Sequence, residues 1–194
     1  MSYDEQRVCL IRHGETEWSI SRQHTGTTDI ALTQNGRAAA KLLGPVLAEQ
    51  KFSVVLVSPM RRAGQTCELA GLGALATIDA DLREWNYGKY EGLTPAQIRA
   101  TAPDWLIFRD GCPGGESPAE VGARVDRLIA RIRTTGGHVV LFGHGHLLRV
   151  LASRWIGSPV SCGSHFLLHP ASLSVLGYYR GMGAIERWNS RVAA

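Results

Sequence analysis

Apolar positions in this chain fall into short runs of strand length separated by segments with helical spacing. The clearest runs cover residues 8–11, 54–57 and 139–142, and weaker ones cover 75–78, 166–168, 173–179 and 184–188. Between them, Ala39, Leu42, Leu43, Val46 and Leu47 recur at helical intervals, and Pro45 predicts a kink there. Val121, Val125, Leu128, Ile129 and Ile132 recur more cleanly behind "SPAE" at 117–120. That opening supplies a serine cap, a proline at the first helical position and a glutamate where a capping box needs it. Leu147, Leu148, Leu151 and Trp155 mark a further helix. Strands alternating with helices predict an α/β fold, a three-layer sandwich with a mostly parallel central sheet and helices on both faces. The closely spaced last strands predict an antiparallel edge, and an edge at 173–179 could pair in a homodimer. Residues 81–117 gather Gly, Pro and aromatic interruptions. They predict a small cap or lobe over the C-terminal strand ends, inserted within one domain spanning 1–194.

Three of the apolar runs end in polar turns: "RHGE" at 12–15, "SPMRRAGQT" at 58–66 and "GHGH" at 143–146. The carboxyl ends of strands in an open α/β sheet line a common crevice where ligands bind. Ser58 and Pro59 read as a helix cap and first helical residue, which places Arg61 and Arg62 near a first turn. Gly143 and Gly145 allow the backbone close to a ligand around His144. Helix N-termini offer unpaired N–H groups and partial positive charge, so each turn suits a phosphate. Two imidazoles and at least two guanidiniums converge in this reading, a cluster that repels itself without an anion. "HGH" alone could instead be a metal pair, but no nearby carboxylate or histidine completes a ligand pattern, so no metal or other cofactor is expected.

Composition narrows the partners. The 194 residues are 44% hydrophobic and 20% charged, as in a soluble domain with a substantial core. The net charge of +4 is spread without basic runs, which favours small anions over nucleic acid. Cys9, Cys67, Cys112 and Cys162 lie far apart, as incidental thiols of a reducing compartment do. The polar start "MSYDEQRV" predicts no secretion signal, and no run approaches the ~20 apolar residues of a membrane span. A cytoplasmic location is expected.

With these residues in view, the sequence resembles the histidine phosphatase superfamily, also called phosphoglycerate mutase-like. "RHGETEW", "SPMRRAGQT", "LREWNYGKYEG", "GGES" and "GHGH" occur in that family's order, from Val8 to about Trp188. The resemblance implies that His13 accepts the phosphoryl group and that Arg12, Arg62 and His144 bind phosphate. Arg62, not Arg61, matches because Ala63 follows it. Glu84 corresponds to the proton donor, with Glu15 and Glu91 as competing carboxylates. Thr25 and Gly26 match a pair lining the substrate side, and Ser19 stands where many mutases have Asn. His24, Trp85, Tyr87, Trp105 and Gly145 are further candidates for the substrate rim.

The implied activity is hydrolysis of a small phosphate ester through a phosphohistidine, releasing inorganic phosphate. His13 needs one bare ring nitrogen and an acceptor, such as a backbone carbonyl, for the other. Glu84 needs a proton for the leaving group, which predicts an optimum on the acidic side of neutral. Mutases of the family have Arg where this chain has Trp85 and Lys where it has Pro95, so phosphatase is preferred to phosphoglycerate mutase. A non-catalytic phosphate-binding module is a third reading, and it would have no need of Glu84. The motifs look most like the branch of sedoheptulose-1,7-bisphosphatase and bacterial acid phosphatases, which implies sugar phosphates as substrates.

Overall fold

The structure is a computed structural model, and it describes residues 6–192. Six strands form one sheet: β1 (Val8–Arg12), β2 (Phe52–Val57), β3 (Ala76–Ile78), β4 (His138–Gly143), β5 (Ser172–Tyr179) and β6 (Met182–Arg191). Their order is β3-β2-β4-β1-β5-β6. The first four strands pair in parallel, while β5 and β6 run antiparallel. Alternating side chains divide the core in two. Val8 and Leu10 of β1 with Val139 and Leu141 of β4 face one layer, whereas Cys9, Ile11, Val140 and Phe142 face the other. The first layer packs against α6 (Pro118–Thr134) and α7 (Gly145–Trp155). The second packs against α2 (Gln34–Ala48) and α3 (Arg61–Leu69). Each of these buried aliphatic side chains contributes about 1.5–3 kcal/mol.

The helix signals at "SPAE" are realised in full. Ser117 caps α6, Pro118 opens it, and Ser117 and Glu120 bond each other's backbone N–H. Pro45 falls in the last turn of α2, which continues to Ala48.

Three expectations are corrected. Residues 166–168 form a loop instead of a strand, because their carbonyls serve side chains: Leu167 O accepts from Trp188 Nε1 and Leu168 O from Arg12. Ser58 and Pro59 do not start α3, which begins at Arg61 behind Met60 with no side-chain cap. The Ser58 hydroxyl is occupied elsewhere, accepting from Met60 N and pairing with His144. Nor is 173–179 an edge, since β5 lies between β1 and β6.

Residues 81–117 carry the short helices α4 (Pro95–Thr101) and α5 (Ile107–Asp110) among turns. Their apolar side chains Leu82, Trp85, Ile107 and Phe108 join the core of α6 and α7. Arg124 of α6 ties this segment down from both ends. Its guanidinium donates to both Glu116 oxygens, at 3.0 and 2.8 Å, and to the carbonyls of Asp81 and Arg83, each at 2.8 Å. Such a forked pair is directional as well as strong, and it brackets Glu84 in the chain.

Candidate active site

The carboxyl ends of β1 and β4 bring "RHGE" and "GHGH" side by side, with Arg12 in register with Gly143. The turn after β1 is held by backbone bonds: His13 N donates to Gly143 O at 3.0 Å, and Ala171 N donates to the carbonyls of Arg12 and His13 at 3.1 Å. Gly14 packs directly on α2, where a Cβ would come within 2.5 Å of the Gly36 carbonyl. Only glycine allows that approach.

His13 Nδ1–H donates to the Gly14 carbonyl at 2.8 Å, so the lone pair of the neutral ring lies on Nε2. Burial, reinforced by the charges of Arg62 and Arg12, holds its pKa well below the ordinary imidazole value. The ring lines a cavity of about 310 Å³ together with Arg12, Glu84 and Gly145. Arg12 sends one terminal nitrogen to Leu168 O, while its Nε is the one buried side-chain polar atom without a partner among the described residues. A buried guanidinium N–H without an acceptor is costly, and the side chain that bears it lines the cavity with its charge.

Arg62 and His144 lie wholly buried and are not among the residues lining this cavity. Arg62 donates from Nη1 to Thr28 O at 3.0 Å, and from Nη2 to Thr25 O at 2.9 Å and Gly26 O at 3.1 Å. Its Nε donates to His144 Nδ1 at 3.2 Å, so His144 carries its proton on Nε2 and gives it to Ser58 Oγ at 2.7 Å. The rings of His13 and His144 are 5.2 Å apart. Burial and the nearby charges of Arg62, His13 and Arg12 push the His144 pKa well down. Arg61 is exposed and outside the cavity, its backbone N–H bound to Asp29.

Of the three candidate carboxylates, only Glu84 lines the cavity with His13. Its Oε1 accepts from Trp85 N and Leu147 N, both at 2.9 Å, and its Oε2 from His146 N at 3.0 Å. The carboxylate therefore sits on the N-terminus of α7, where negative charge is favoured. Glu15 instead accepts from Thr33 Oγ1, and Glu91 accepts from the backbone of Gly26 and Thr28.

Ser19, His24, Thr25, Tyr87 and Gly145 all line the cavity. Ser19 belongs to α1 (Glu17–Ser21), where it and Thr16 cap each other reciprocally. Gly26 stays outside the cavity, with a Cβ there only 2.6 Å from Trp85 O. Two rim candidates are corrected. Trp85 is wholly buried and donates to Glu116 O, because its indole fills the core between the segment and α6. Trp105 donates to Gly111 O and packs on Tyr90 and His24, outside the cavity.

Sequence reasoning passed over Trp18, Arg22, His146 and Arg149, which also line the cavity. For the last two a signal existed. Arg149 follows Gly145 by one turn of α7, so both lie on the same helix face. His146 does not pair with His144 as "HGH" suggests, for the two rings part: His146 bonds Tyr87 while His144 bonds Ser58. No group of three or more His, Cys, Asp or Glu is placed to hold a metal ion among the described residues.

The chain has relatives among known proteins. The family model of the histidine phosphatase superfamily (branch 1) matches residues 8–191, and the chain belongs to that superfamily. It is 42% identical over 186 residues to an acid phosphatase of Mycobacterium tuberculosis strain H37Rv, covering 94% of this chain and 91% of that protein. It is 35% identical over 184 residues to the sedoheptulose 1,7-bisphosphatase of Saccharomyces cerevisiae, covering 78% of this chain and 68% of the yeast protein. A solved structure of an open reading frame product from Mycobacterium tuberculosis superposes with a TM-score of 0.92 at 39% identity, covering 97% of this chain and 99% of that one.

Proposed function

We propose that this protein is a phosphomonoesterase that hydrolyses small phosphate esters, sugar phosphates among them, through a phosphohistidine at His13. The observation that carries this reading is the fixed tautomer of His13, whose ring lines one cavity together with Glu84 and the cationic Arg12. The acid phosphatase and sedoheptulose bisphosphatase relatives support the same class of substrate.

Arg12 binds the phosphoryl oxygens directly. Arg62 adds charge from beneath and fixes the carbonyls of Thr25, Gly26 and Thr28; His144 positions Arg62. Glu84 takes up a proton from solvent as the anionic ester binds beside it. His13 Nε2 then attacks phosphorus, the ester P–O bond breaks, and the departing alkoxide takes that proton from Glu84. Glu84 then takes a proton from water as that water attacks phosphorus, the P–N bond breaks, and inorganic phosphate leaves. Cationic donors aimed at the phosphoryl oxygens supply most of such a rate enhancement. Hydrolysis is favoured over a mutase reaction because Trp85 is buried in the core and Pro95 lines the cavity, so neither position offers a cation to a carboxylated substrate.

The test is rapid alkaline quenching after mixing with a ³²P-labelled ester, alongside phosphate release and a coupled mutase assay. An acid-labile, base-stable phosphoprotein that is absent in His13→Ala, with stoichiometric phosphate release, is expected. Turnover without that species, or transfer to a second hydroxyl in place of water, would overturn the reading.

A further inference from the structure

His24 and His146 bear on the same cavity from opposite chain segments and have no part in the phosphoryl-transfer scheme. Their imidazoles stack face to face, 5.9 Å between centroids and 5° from parallel. Each has its Nδ1 committed. His24 Nδ1 bonds the Leu93 carbonyl at 2.9 Å, and a carbonyl only accepts, so the hydrogen is on Nδ1 and Nε2 is a bare acceptor. His146 Nδ1 lies 2.6 Å from the Tyr87 hydroxyl. Burial raises the Tyr87 pKa well above the ordinary phenol value and lowers that of His146 well below the ordinary imidazole value, so both are neutral. Between neutral partners the phenol is the better donor. Tyr87 therefore donates to Nδ1, and the His146 proton sits on Nε2.

The pair thus presents one acceptor and one donor, each fixed by its own anchor, the Leu93 carbonyl and the Tyr87 hydroxyl. Neither Nε2 has a protein partner among the described residues, and both side chains line the cavity. A phosphate is served by donors alone; an acceptor beside a donor suits a hydroxyl group, which both gives and takes a hydrogen bond. His146 N also donates to Glu84 Oε2, so the pair stands next to the group that protonates the ester oxygen.

Resting on the phosphatase reading above, we infer that His24 and His146 form a hydroxyl-reading pair that selects esters carrying adjacent hydroxyls on the carbons beside the phosphate. One substrate hydroxyl donates to His24 Nε2, and a neighbouring one accepts from His146 Nε2–H. Tyr87 and the Leu93 carbonyl are positioning groups that lock the two tautomers.

The experiment compares kcat/KM for glycerol 1-phosphate and propyl phosphate, which share a carbon chain and differ in the two hydroxyls. Wild type is expected to prefer the hydroxylated ester by ~10-fold or more, the order of one to two hydrogen bonds lost. His24→Phe keeps a ring but no acceptor, and the ratio is expected to fall to within about threefold of unity. His24→Gln, which restores an acceptor, is expected to recover part of it. A purely structural role would lower turnover of both esters together and leave the ratio standing. Equal use of the two esters by wild type overturns the inference, and so does a His24→Phe protein that retains the preference. If His24→Phe does not fold, the wild-type ratio alone decides. No turnover of any ester by wild type would instead count against the phosphatase reading itself.

Discussion

The floor and the wall of the cavity are built by different means. The floor, His13 and Arg12 over Arg62 and His144, hangs from strand ends whose register is fixed by the sheet: His13 N bonds Gly143 O, and Ser58 N bonds Phe142 O. The wall, with His24, Glu84 and Tyr87, comes from irregular segments that share a few backbone bonds, such as His24 N to Leu93 O, and depend heavily on side-chain anchors. Arg124 grips Glu116, Asp81 and Arg83, while Glu91 holds the backbone of Gly26 and Thr28. Backbone register places the phosphate chemistry, and side-chain anchors shape what is attached to the phosphate. The first can stay constant while the second varies.

The largest effect expected from breaking the floor is that of His13→Ala. Losing a nucleophile should cost at least ~10⁴-fold in kcat, with the labelled phosphoprotein gone, since groups acting as a unit fail together. Measuring kcat on an aryl ester and an alkyl ester should show the loss on both, because neither can form the phosphohistidine without the His13 ring.

Glu84→Gln breaks the wall and should behave differently. It should cost ~10²–10⁴-fold on an alkyl ester, the size of a general-acid contribution, and clearly less on p-nitrophenyl phosphate, whose leaving group needs no proton. An equal loss on both esters would place Glu84 with the floor and erase the distinction.

The same contrast explains what could be read from the sequence. Continuous apolar runs ending in "RHGE" and "GHGH" identify both the strands and what their ends carry, because an apolar run of that length bounded by polar turns is a local pattern. The parallel sheet and the capping box at Ser117 were legible for that reason. Ser58 misled because a Ser-Pro pair is a local cap signal, whereas its hydroxyl answers to His144, 86 residues away. Trp85 misled similarly: nothing local separates an aromatic that meets substrate from one that fills the core beneath it. Arg124 and Glu116, which tie down residues 81–117, look like ordinary charges on a helix and a turn until they are seen paired.

Four imidazoles span both regions, and all are held low: His13 and His144 in the floor, His24 and His146 in the wall, with burial the first cause in each. Below about pH 6.5, the ordinary imidazole value, the unfolded chain binds protons that the folded one refuses. Their contribution to stability is therefore complete above that pH and lost as pH falls beneath it. Thermal unfolding followed by circular dichroism should show Tm dropping from pH 7 to pH 5. A flat profile would mean the rings are not kept neutral. The low value at His13 also keeps the nucleophile free in mild acid, so an acidic activity optimum is compatible with this floor.

Ser58→Ala should give the smallest effect, and it separates touching phosphate from holding the group that does. Ser58 Oγ takes the Nε2 proton of His144, whose Nδ1 takes the Arg62 Nε proton. With the hydroxyl gone, His144 cannot resolve the loss by changing tautomer, because a proton moved to Nδ1 would face the donor on Arg62. A buried N–H left without an acceptor costs about 1–3 kcal/mol, so Tm should fall accordingly. If Arg62 then loses its orientation, inhibition by inorganic phosphate should weaken by no more than ~10-fold while the phosphohistidine still forms. Were Ser58→Ala to match His13→Ala in abolishing that species, Ser58 would belong to the chemistry, and the floor would reach one layer deeper than the cavity lining shows.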